Sequence, residues 1–413
     1  MVKRSMLLIV SLFLLYTISV AQPDTWIYKK TMPTARTFAS GCVFDNKFYV
    51  IGGSPASTAT AAVEAYNPAT DYWEKKANLP AARCYPIVCA FQGKIYVFGG
   101  SSGMWSNALA TLFVYDPQTD SWSQKNDMPY AVGFSGVAVL NDTIYLIGGA
   151  LNASSPPFAT VMAYNPLSET WMSKTDMLTA RNGLAACVVN GKIYAIGGTT
   201  AQWETVSYQH VEVYDPVTDA WTRKADMPTG RWGLFVGVID GKIYAVGGRS
   251  GSYSSSKNEV YNPLTDTWAE KSPMEKMRTG LAGCVIGNNI YVTGGHQGPP
   301  IVIQTSLEQY NPVITEVNTG ALFQPRQFAL YQNFPNPSNS TTTIQYQLSE
   351  PNFVCLEIMN VRGEIVITAV NEFKNDGNHY FLLNTSSLSS GLFFYKLRPG
   401  DQESETKKML FIK

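Results

Sequence analysis

The chain has 413 residues, of which 31 are Lys or Arg and 31 are Asp or Glu, so its formal net charge is zero. It contains no run of basic residues that could neutralise phosphate groups, which argues against nucleic acid as a partner. Hydrophobic residues make up 45% of the sequence and aromatic residues 12%, a composition that can fill a large buried core.

Residues 1–21 have the features of a secretory signal peptide. Two basic residues near the start are followed by an apolar stretch over residues 6–18 and by the small residues Ser19-Val20-Ala21, which fit a cleavage site. The apolar stretch is short for a bilayer span, although a retained membrane anchor is the alternative. The sequence therefore predicts an exported protein.

Six Gly-Gly pairs recur along the chain at intervals of 47, 49, 49, 50 and 47 residues. Each pair ends an apolar run, where glycine allows the backbone to take a positive φ as it leaves a strand. A period near 50 residues is typical of a repeat protein, in which each repeat is one structural unit. The pairs are Gly52-Gly53, Gly99-Gly100, Gly148-Gly149, Gly197-Gly198, Gly247-Gly248 and Gly294-Gly295.

Three further elements accompany the pairs. A Tyr-Asn-Pro or Tyr-Asp-Pro turn follows each pair, and a Trp stands seven residues after the first five of these tyrosines, at Trp73, Trp122, Trp171, Trp221 and Trp268. Ten residues later comes an arginine, Arg83, Arg181, Arg231 or Arg278, with Val132 in the remaining repeat. We expect these arginines to tie neighbouring repeats together. Turn signals every 8–12 residues predict four short strands per repeat, as in a propeller blade.

The Gly-Gly, Tyr-Asn/Asp-Pro and Trp positions resemble the kelch repeat over roughly residues 25–312. The resemblance implies four-stranded blades around a central channel, and six Gly-Gly pairs imply six blades. We therefore predict an all-β chain in which residues 22–314 form a six-bladed kelch β-propeller.

The sixth repeat lacks its tryptophan, because Val317 stands where that residue should be. The missing piece is found near the start of the chain, where Trp26 precedes Arg36 by the same interval as Trp73 precedes Arg83. Residues 25–30 are therefore expected to supply the outer strand of blade six. This closure would remove the exposed edges of an open array.

Residues 315–329 interrupt the repeat and are predicted to be a linker. Residues 330–413 hold alternating strands without a Gly-Gly pair, and their number suffices for a small Ig-like β-sandwich. The motifs at residues 330–337, 390–395 and 407–413 resemble the C-terminal sorting domain of the type nine (Por) secretion system. One departure from it is Ser338 and Ser340, where that family more often has Phe and Pro.

The second resemblance implies a Bacteroidota-like bacterium, passage through the periplasm, and export across the outer membrane by secretion machinery that recognises residues 330–413. The mature protein would be secreted or held on the cell surface, with the sorting domain removed. An ordinary accessory β-sandwich is the alternative interpretation of the same segment.

Four of the six cysteines, Cys42, Cys89, Cys187 and Cys284, lie six residues after the repeat arginine. Ala or Gly fills this position in the other repeats, which indicates a small buried residue on the innermost strand. Disulfides remain an alternative in an exported protein. The three histidines, His210, His296 and His379, show no metal-ligand spacing, so neither a metal nor another cofactor is expected.

The ligand is expected on the face formed by the segments that do not repeat. With the strands of a blade lettered outward from A to D, the B–C segments follow the Gly-Gly pairs and share a face with the D–A segments, and kelch domains commonly bind partners there. Aromatic and arginine side chains on such loops suit a protein contact or a sugar ring, although packing within the loops is the alternative for each of them. The candidate ligand-binding residues are Trp105, Trp203, Trp232, Tyr85, Tyr208, Tyr253 and Arg249.

We favour a monomeric, non-enzymatic module that binds a protein or carbohydrate ligand outside the cell. The alternative is a glycan-active enzyme, such as a kelch protein similar to sialic-acid mutarotases. Glu204 and Arg249 would then be candidate pocket residues by loop position, and no catalytic residue is assigned.

Processing at both ends of the chain follows from these motifs. Mass spectrometry of the exported protein should find Gln22 at its N-terminus and a C-terminus between about residues 313 and 335. An exported form that still ends at Lys413 would contradict removal of the sorting domain.

Overall fold

The computed structural model describes residues 24–200, 206–298, 300–312, 328–333, 336, 338, 341–384, 388–400 and 404–411. These residues form strands and turns, and they include no helix that is long and apolar enough to cross a membrane. The chain divides into two compact units, Met1–Thr315 and Glu316–Lys413.

The first unit is a closed ring of six antiparallel sheets, which confirms the predicted six-bladed propeller. Strand β1 (Thr25–Lys29) precedes the blades, which are given in chain order. Blade one contains β2 (Ser40–Phe44), β3 (Lys47–Ile51), β4 (Val63–Asn67) and β5 (Tyr72–Lys75). Blade two contains β6 (Ile87–Phe91), β7 (Lys94–Phe98), β8 (Leu112–Asp116) and β9 (Ser121–Lys125). Blade three contains β10 (Gly136–Leu140), β11 (Thr143–Ile147), β12 (Val161–Asn165) and β13 (Thr170–Lys174).

The other three blades follow the same plan with small additions. Blade four contains β14 (Ala185–Val189), β15 (Lys192–Ile196), β16 (Val211–Asp215) and β17 (Ala220–Arg223). Blade five contains β18 (Phe235–Ile239), β19 (Lys242–Val246), the short hairpin β20 (Arg249–Ser250) and β21 (Tyr253–Ser254), β22 (Asn258–Asn262) and β23 (Thr267–Lys271). Blade six contains β24 (Thr279–Ile286), β25 (Asn289–Gln297), β26 (Val302–Ile303) and β27 (Leu307–Asn311). The innermost strands contact one another in the cyclic order β2, β6, β10, β14, β18, β24 and back to β2.

The N-terminal strand β1 is the outer strand of blade six. It pairs antiparallel with β27, and Trp26 lies opposite Tyr310. The Trp26 indole is buried and donates a hydrogen bond to the Ser272 carbonyl at 2.8 Å. The outer-strand tryptophans of blades one and four make the same bond to the preceding blade, from Trp73 to Lys30 at 2.8 Å and from Trp221 to Thr175 at 2.9 Å. The two ends of the propeller chain are thus joined by the interaction that joins neighbouring blades.

The Gly-Gly pairs make a hydrogen bond between neighbouring blades. The second glycine of each pair donates its backbone N–H to the carbonyl of the blade arginine, or of Val132, in the next blade. The first glycine has a positive φ, 64° at Gly52, and a Cβ there would lie 2.6 Å from the Arg83 carbonyl oxygen. The six bonds run from Gly53 to Arg83 at 2.7 Å, Gly100 to Val132 at 3.1 Å, Gly149 to Arg181 at 3.1 Å, Gly198 to Arg231 at 2.9 Å, Gly248 to Arg278 at 2.8 Å and Gly295 to Arg36 at 3.0 Å.

The side chains of the blade arginines are buried against their own blade. Four of them form ion pairs with a buried glutamate on strand C of the same blade: Arg36–Glu64 at 2.5 Å, Arg181–Glu212 at 2.9 Å, Arg231–Glu259 at 2.7 Å and Arg278–Glu308 at 2.5 Å. The expectation that these arginines tie neighbouring blades is therefore correct for their carbonyls and wrong for their guanidinium groups. Removing one partner of such a pair typically costs about 3–5 kcal/mol, because it leaves a buried charge unpaired.

Blades two and three depart from this pattern. Phe113 occupies the glutamate position in blade two, and the Arg83 guanidinium lies 5.1 Å from the centre of its ring and donates to Thr111 Oγ1 at 2.8 Å. Blade three has Val132 and Met162 at the two positions, and both are buried. Where the buried glutamate is missing, blade two thus has a cation–π contact in its place, and blade three has apolar residues at both positions.

The four repeat cysteines lie on the innermost strands, as expected for a small-residue position. All four are free thiols in the structure. Burial raises the pKa of Cys42 to about 12, and burial also raises the pKa values of Cys89, Cys187 and Cys284. These thiols are therefore neutral at pH 7 and unreactive.

The second unit contains two sheets that enclose one apolar core, consistent with the predicted Ig-like sandwich. One sheet contains β28 (Phe328–Leu330), β29 (Thr341–Leu348) and β32 (Gly377–Asn384); the other contains β31 (Ile365–Lys374), β30 (Asn352–Met359), β33 (Gly391–Pro399) and β34 (Glu405–Phe411). Ile344, Leu356 and Tyr395 are fully buried between them. The first strand begins at Phe328, two residues before the predicted domain start. The predicted signal peptide and most of the predicted linker lie outside the described residues.

The closure of blade six can be tested with tryptophan variants of the full chain. Trp26→Ala should lower the unfolding temperature as much as Trp221→Ala does, because both indoles are buried and donate to the preceding blade. Truncation of a buried aromatic typically costs about 3–5 kcal/mol. Thermal circular dichroism measures the effect, with Val217→Ala at a fully exposed turn as the control. A Trp26→Ala chain that melts like the control would show that β1 does not close the ring.

Candidate ligand-binding face

The B–C and D–A segments meet on one face of the propeller, here called the loop face. In each blade the residue after the blade arginine (after Val132 in blade three) pairs with the residue after the Gly-Gly pair. The pairs are Thr37–Ser54, Cys84–Ser101, Gly133–Ala150, Asn182–Thr199, Trp232–Arg249 and Thr279–His296. The sequence-based placement of the two kinds of segment on one face agrees with these pairings.

The next residue of each blade belongs to a ring around the end of the central channel. This mouth ring consists of Phe38, Tyr85, Phe134, Gly183, Gly233 and Gly280, all with φ between 55° and 62°. Backbone N–H groups donate to the carbonyl of the neighbouring blade in five steps around it, at 2.7–3.0 Å. Glycine takes this conformation freely in blades four to six. In blades one to three it is imposed on aromatic residues, at a cost of about 1–3 kcal/mol each.

The mouth ring surrounds a cavity of about 130 Å³, here called the mouth cavity, which shares Ser135, Leu184, Leu234 and Leu281 with the central channel of about 440 Å³. The aromatic rings of blades one to three form one wall, with ring centres 4.4 Å apart for Phe38 and Tyr85 and 3.8 Å apart for Tyr85 and Phe134.

Trp232 reaches this wall from the other side of the ring. It belongs to blade five, yet it packs in one buried cluster with Phe38 of blade one and with Cys84 and Tyr85 of blade two. Its indole therefore lies across the mouth. Phe134, Gly183 and Gly233 are only half-buried, so the cavity is open at blades three to five.

Several buried polar groups next to the mouth ring have no hydrogen-bond partner among the described residues. They are both amide atoms of Asn182, the indole Nε1 of Trp232 and the hydroxyl of Thr279, in three consecutive blades. The same position in blade one behaves differently, because the Thr37 hydroxyl lies 2.9 Å from Nδ1 of His296. A buried polar group left without any partner typically costs about 1–3 kcal/mol.

Arg249 and His296 are ionisable side chains that contact aromatic residues of the cavity wall, and the His296 ring centre lies 5.3 Å from that of Phe38. The Arg249 guanidinium lies 5.8 Å from the centre of the Trp232 ring, and its Nε donates to the Gly251 carbonyl at 3.0 Å. Burial lowers the pKa of Arg249. Burial, together with the positive charge of Arg249, lowers the pKa of His296 to about 4, so this imidazole is neutral at pH 7. Among the described residues, no group of three or more His, Cys, Asp and Glu side chains is placed to hold a metal ion.

The sequence-predicted residues separate into two groups. Trp105 and Tyr253 are exposed, with 63% and 67% of their surface accessible. Tyr208 is half-buried and stacks on His210 at 4.5 Å between ring centres. Tyr85 and Trp232, by contrast, are 6% and 2% exposed, so for these two side chains the alternative interpretation, packing among neighbouring residues, is the correct one. They are buried because they fill the channel mouth. Trp203 and Glu204 lie outside the described residues.

The B–C segments, here together called the collar, are cross-linked in two groups, one in blades one to three and one in blades four to six. Its segments are residues 54–62, 101–111, 150–160, 199–200 with 206–209, 249–257, and 296–298 with 300–306. Neighbouring segments are joined by hydrogen bonds from Met104 N to Ser57 O at 3.4 Å, Asn152 Nδ2 to Asn107 Oδ1 at 2.7 Å, Ser207 Oγ to Arg249 O at 3.2 Å and Ser254 Oγ to His296 O at 3.0 Å. Trp105 and Tyr253 therefore stand on loops whose positions are fixed by their neighbours.

The sequence analysis missed most of the mouth. Phe38, Phe134, Asn182 and Thr279 were not singled out, although the repeat contains a signal for the first two. The position two residues after the blade arginine is either aromatic or glycine in every blade. A position that holds either glycine or an aromatic residue is typical of a backbone with a positive φ, where an aromatic side chain is kept only for the contacts that it makes.

The neutral buried His296 predicts a dependence of stability on pH. The pKa of His296 is about 4 in the folded chain and 6.5 in the unfolded chain. Its contribution to the free energy of unfolding is therefore fully present above pH 6.5 and is lost as the pH falls through 4. The difference corresponds to about 3 kcal/mol. Between pH 7 and pH 4.5, the free energy of unfolding should therefore fall less for the His296→Asn chain than for the natural chain. Denaturant unfolding at the two pH values measures this difference. Equal losses in the two chains would show that His296 is accessible to protons in the folded state.

Comparisons with known proteins agree with this architecture. A family profile described as Attractin/LZTR1 beta-propeller matches residues 48–301, and one described as Secretion system C-terminal sorting domain matches residues 332–413. Among solved structures, one titled "Structure of YjhT" superposes with a TM-score of 0.60 at 16% identity, covering 67% of this chain and 95% of that one, which shows the fold alone. No curated protein matches.

The sorting-domain match indicates export by the type nine secretion system to the cell surface or the medium, and it implies an interaction with that machinery. Since the propeller profile covers more than half of the sequence, the chain belongs to the Attractin/LZTR1 β-propeller family, in a form that carries a C-terminal sorting domain for secretion.

Proposed function

We propose that the propeller is a non-enzymatic binding module that holds a protein or carbohydrate ligand on its loop face outside the cell. The observation that carries this proposal is the exposure of Trp105 and Tyr253 on the cross-linked collar. Large aromatic side chains that remain exposed on a rigid support are typical of binding hot spots, because little conformational entropy is lost when a ligand covers them.

The collar also combines variety with rigidity. Its segments differ in length and sequence between blades, whereas hydrogen bonds join the segments of blades one to three to one another and those of blades four to six to one another. A binding surface needs both properties, since the variable residues set specificity and the fixed support limits the cost of ordering them.

Arg249 adds a cation to this face. Its guanidinium lies over the Trp232 ring, and the side chain is half-buried, so it stays beside the mouth cavity. Such a group can donate to carboxylate, carbonyl or hydroxyl oxygens of a ligand.

The catalytic alternative rests on Arg249 together with Glu204, and Glu204 lies outside the described residues. Exposed aromatics on the collar are a property of contact surfaces, so binding is the function we propose. We further propose that the exported chain acts as a monomer after removal of an N-terminal signal peptide and the sorting domain.

A double substitution on the collar tests the proposal. Trp105→Ala with Tyr253→Ala should leave the unfolding temperature nearly unchanged, because both side chains are exposed. Loss of an aromatic anchor usually costs at least about 2 kcal/mol of binding, so affinity should fall at least roughly tenfold. A glycan array and a panel of purified extracellular proteins identify the ligand, and titration calorimetry of the full chain measures the change.

The matched control lies on the opposite face. Val217 and Leu264 are exposed residues of C–D turns, so Val217→Ala with Leu264→Ala removes exposed apolar surface from the face opposite the collar. This control should bind like the natural chain. If the control loses binding and the collar variant does not, the ligand site is on the other face and the proposal is wrong.

A further inference from the structure

We propose that the sorting domain contacts the secretion machinery through one face of its four-stranded sheet. The contact is an apolar patch formed by Leu392, Phe394, Leu410 and Met359, here called the export patch. The sorting-domain match implies an interaction with this machinery without locating it on the surface. The export patch is separate from the ligand-binding role proposed for the propeller. Three features point to it: the division of two sequence motifs between core and surface, the closed edge of the last strand, and the charges beside the patch.

The two C-terminal sorting motifs, residues 390–395 and 407–413, lie on the neighbouring strands β33 and β34. Side chains on a strand alternate between the two faces of the sheet, so each motif contributes to both faces. One set of motif residues is buried in the core between the two sheets: Phe393, Tyr395, Met409 and Phe411. Packing within the domain therefore explains why the motifs are apolar at every second position.

The alternate residues of the same motifs face outward, where the core does not require apolar side chains. Leu392 lies opposite Leu410 on the neighbouring strand, and Phe394 lies opposite Met359 on β30. Leu392 and Leu410 are 40% and 37% exposed, while Phe394 and Met359 are half-buried. Because Leu392 and Phe394 are two residues apart on one strand, the four side chains form one patch across three strands. A contiguous apolar patch of this kind marks a contact with another protein.

The outer edge of β34 is already hydrogen-bonded by Gln332, Asn336 and Ser338. The Leu410 backbone N–H donates to Asn336 Oδ1 at 2.8 Å, and the Ser338 backbone N–H donates to the Leu410 carbonyl at 2.9 Å. Gln332 Nε2 donates to the Lys408 carbonyl at 2.7 Å. A partner that recognises this part of β34 therefore contacts side chains on the sheet face, because the backbone groups needed for adding a strand are occupied.

The outer face of β30, β33 and β34 has an excess of positive charge. Lys408 lies opposite Phe394 and is exposed. Lys396 and Arg398 continue the same face along β33, and Glu357 lies opposite Lys396. Three cations and one carboxylate thus stand beside the export patch. Since charges across a protein interface are usually complementary, we expect an apolar partner surface with acidic residues at its border.

Other exposed apolar pairs of the domain lie outside the sorting motifs. Phe353 lies opposite Phe373 at the far end of the same sheet, and Tyr380 and Leu382 lie on β32 of the other sheet. All four are more exposed than the leucines of the export patch. They therefore separate recognition of the motif residues from a general effect of exposed apolar surface.

Export of the full chain by a bacterium with a type nine secretion system tests the proposal. Leu392→Thr with Leu410→Thr removes exposed apolar surface and introduces β-branched residues, which favour strands, so the chain should still fold. Immunoblots compare the amount in the medium and on the cell surface with the amount in the periplasm. The exported fraction should fall at least about tenfold, as expected for the loss of binding anchors. Export at the natural level would overturn the proposal.

Two double variants are the matched controls: Phe353→Thr with Phe373→Thr, and Tyr380→Thr with Leu382→Thr. Both chains should be exported like the natural chain. If either control loses as much export as the export-patch variant, the machinery does not select this patch and the proposal is wrong. The collar variant Trp105→Ala with Tyr253→Ala should also be exported normally, so the outcome for the ligand-binding role is read separately.

Thermal unfolding of the purified full chains checks that the variants fold. The export-patch variant should melt like the natural chain. If it melts at a lower temperature, Lys408→Glu decides, because this change reverses an exposed charge and leaves the apolar side chains in place. Lys408→Glu should lower the exported fraction, whereas Lys75→Glu, the same change on an exposed residue of the propeller, should not. Equal export of these two chains would then contradict the proposal.

Discussion

The hydrogen bond from the second glycine of each Gly-Gly pair to a carbonyl of the next blade is the interaction on which the propeller depends. It occurs between all six neighbouring blades, including the step from blade six to blade one. The first glycine makes room for that carbonyl, since a Cβ at Gly52 or Gly294 would lie 2.6 Å from it. Each blade is therefore positioned by backbone atoms of its neighbour, and side chains are free to vary elsewhere.

The loop face follows from this arrangement. The bonded arginine carbonyl is followed at once by the residue that pairs with the B–C segment, and then by the mouth ring with its own bonds between blades. The bonds of the second glycines and the pairings to the residues after the blade arginines thus fix the start of every B–C segment. The collar beyond them can change in length and composition without disturbing the core, which separates the stability of the fold from its specificity.

The fold was predictable because its signals are local and repeated. The Gly-Gly pairs and the tryptophans recur at a fixed spacing, and even the displaced Trp26 was recognised by its distance to Arg36. The mouth was less predictable, because Trp232 is buried through contacts with Phe38 and Tyr85, far away in the sequence and across the ring. The buried glutamates were also missed, since a glutamate inside a strand of alternating pattern looks like a solvent-facing residue until its arginine partner is seen. The role of Trp203 remains a prediction.

The arginine–glutamate position occurs six times in the propeller, and its variation indicates the order in which the two residues of such an ion pair can be replaced during evolution. Four blades keep both residues, blade two keeps Arg83 beside Phe113, and blade three has Val132 and Met162. An arginine that loses its acid can still lie over an aromatic ring and donate to Thr111 and the Ala82 carbonyl. A glutamate that lost its arginine would be a buried anion with no such substitute. The acid can therefore be replaced first and the base afterwards, and blade two shows that the intermediate state is compatible with a folded ring.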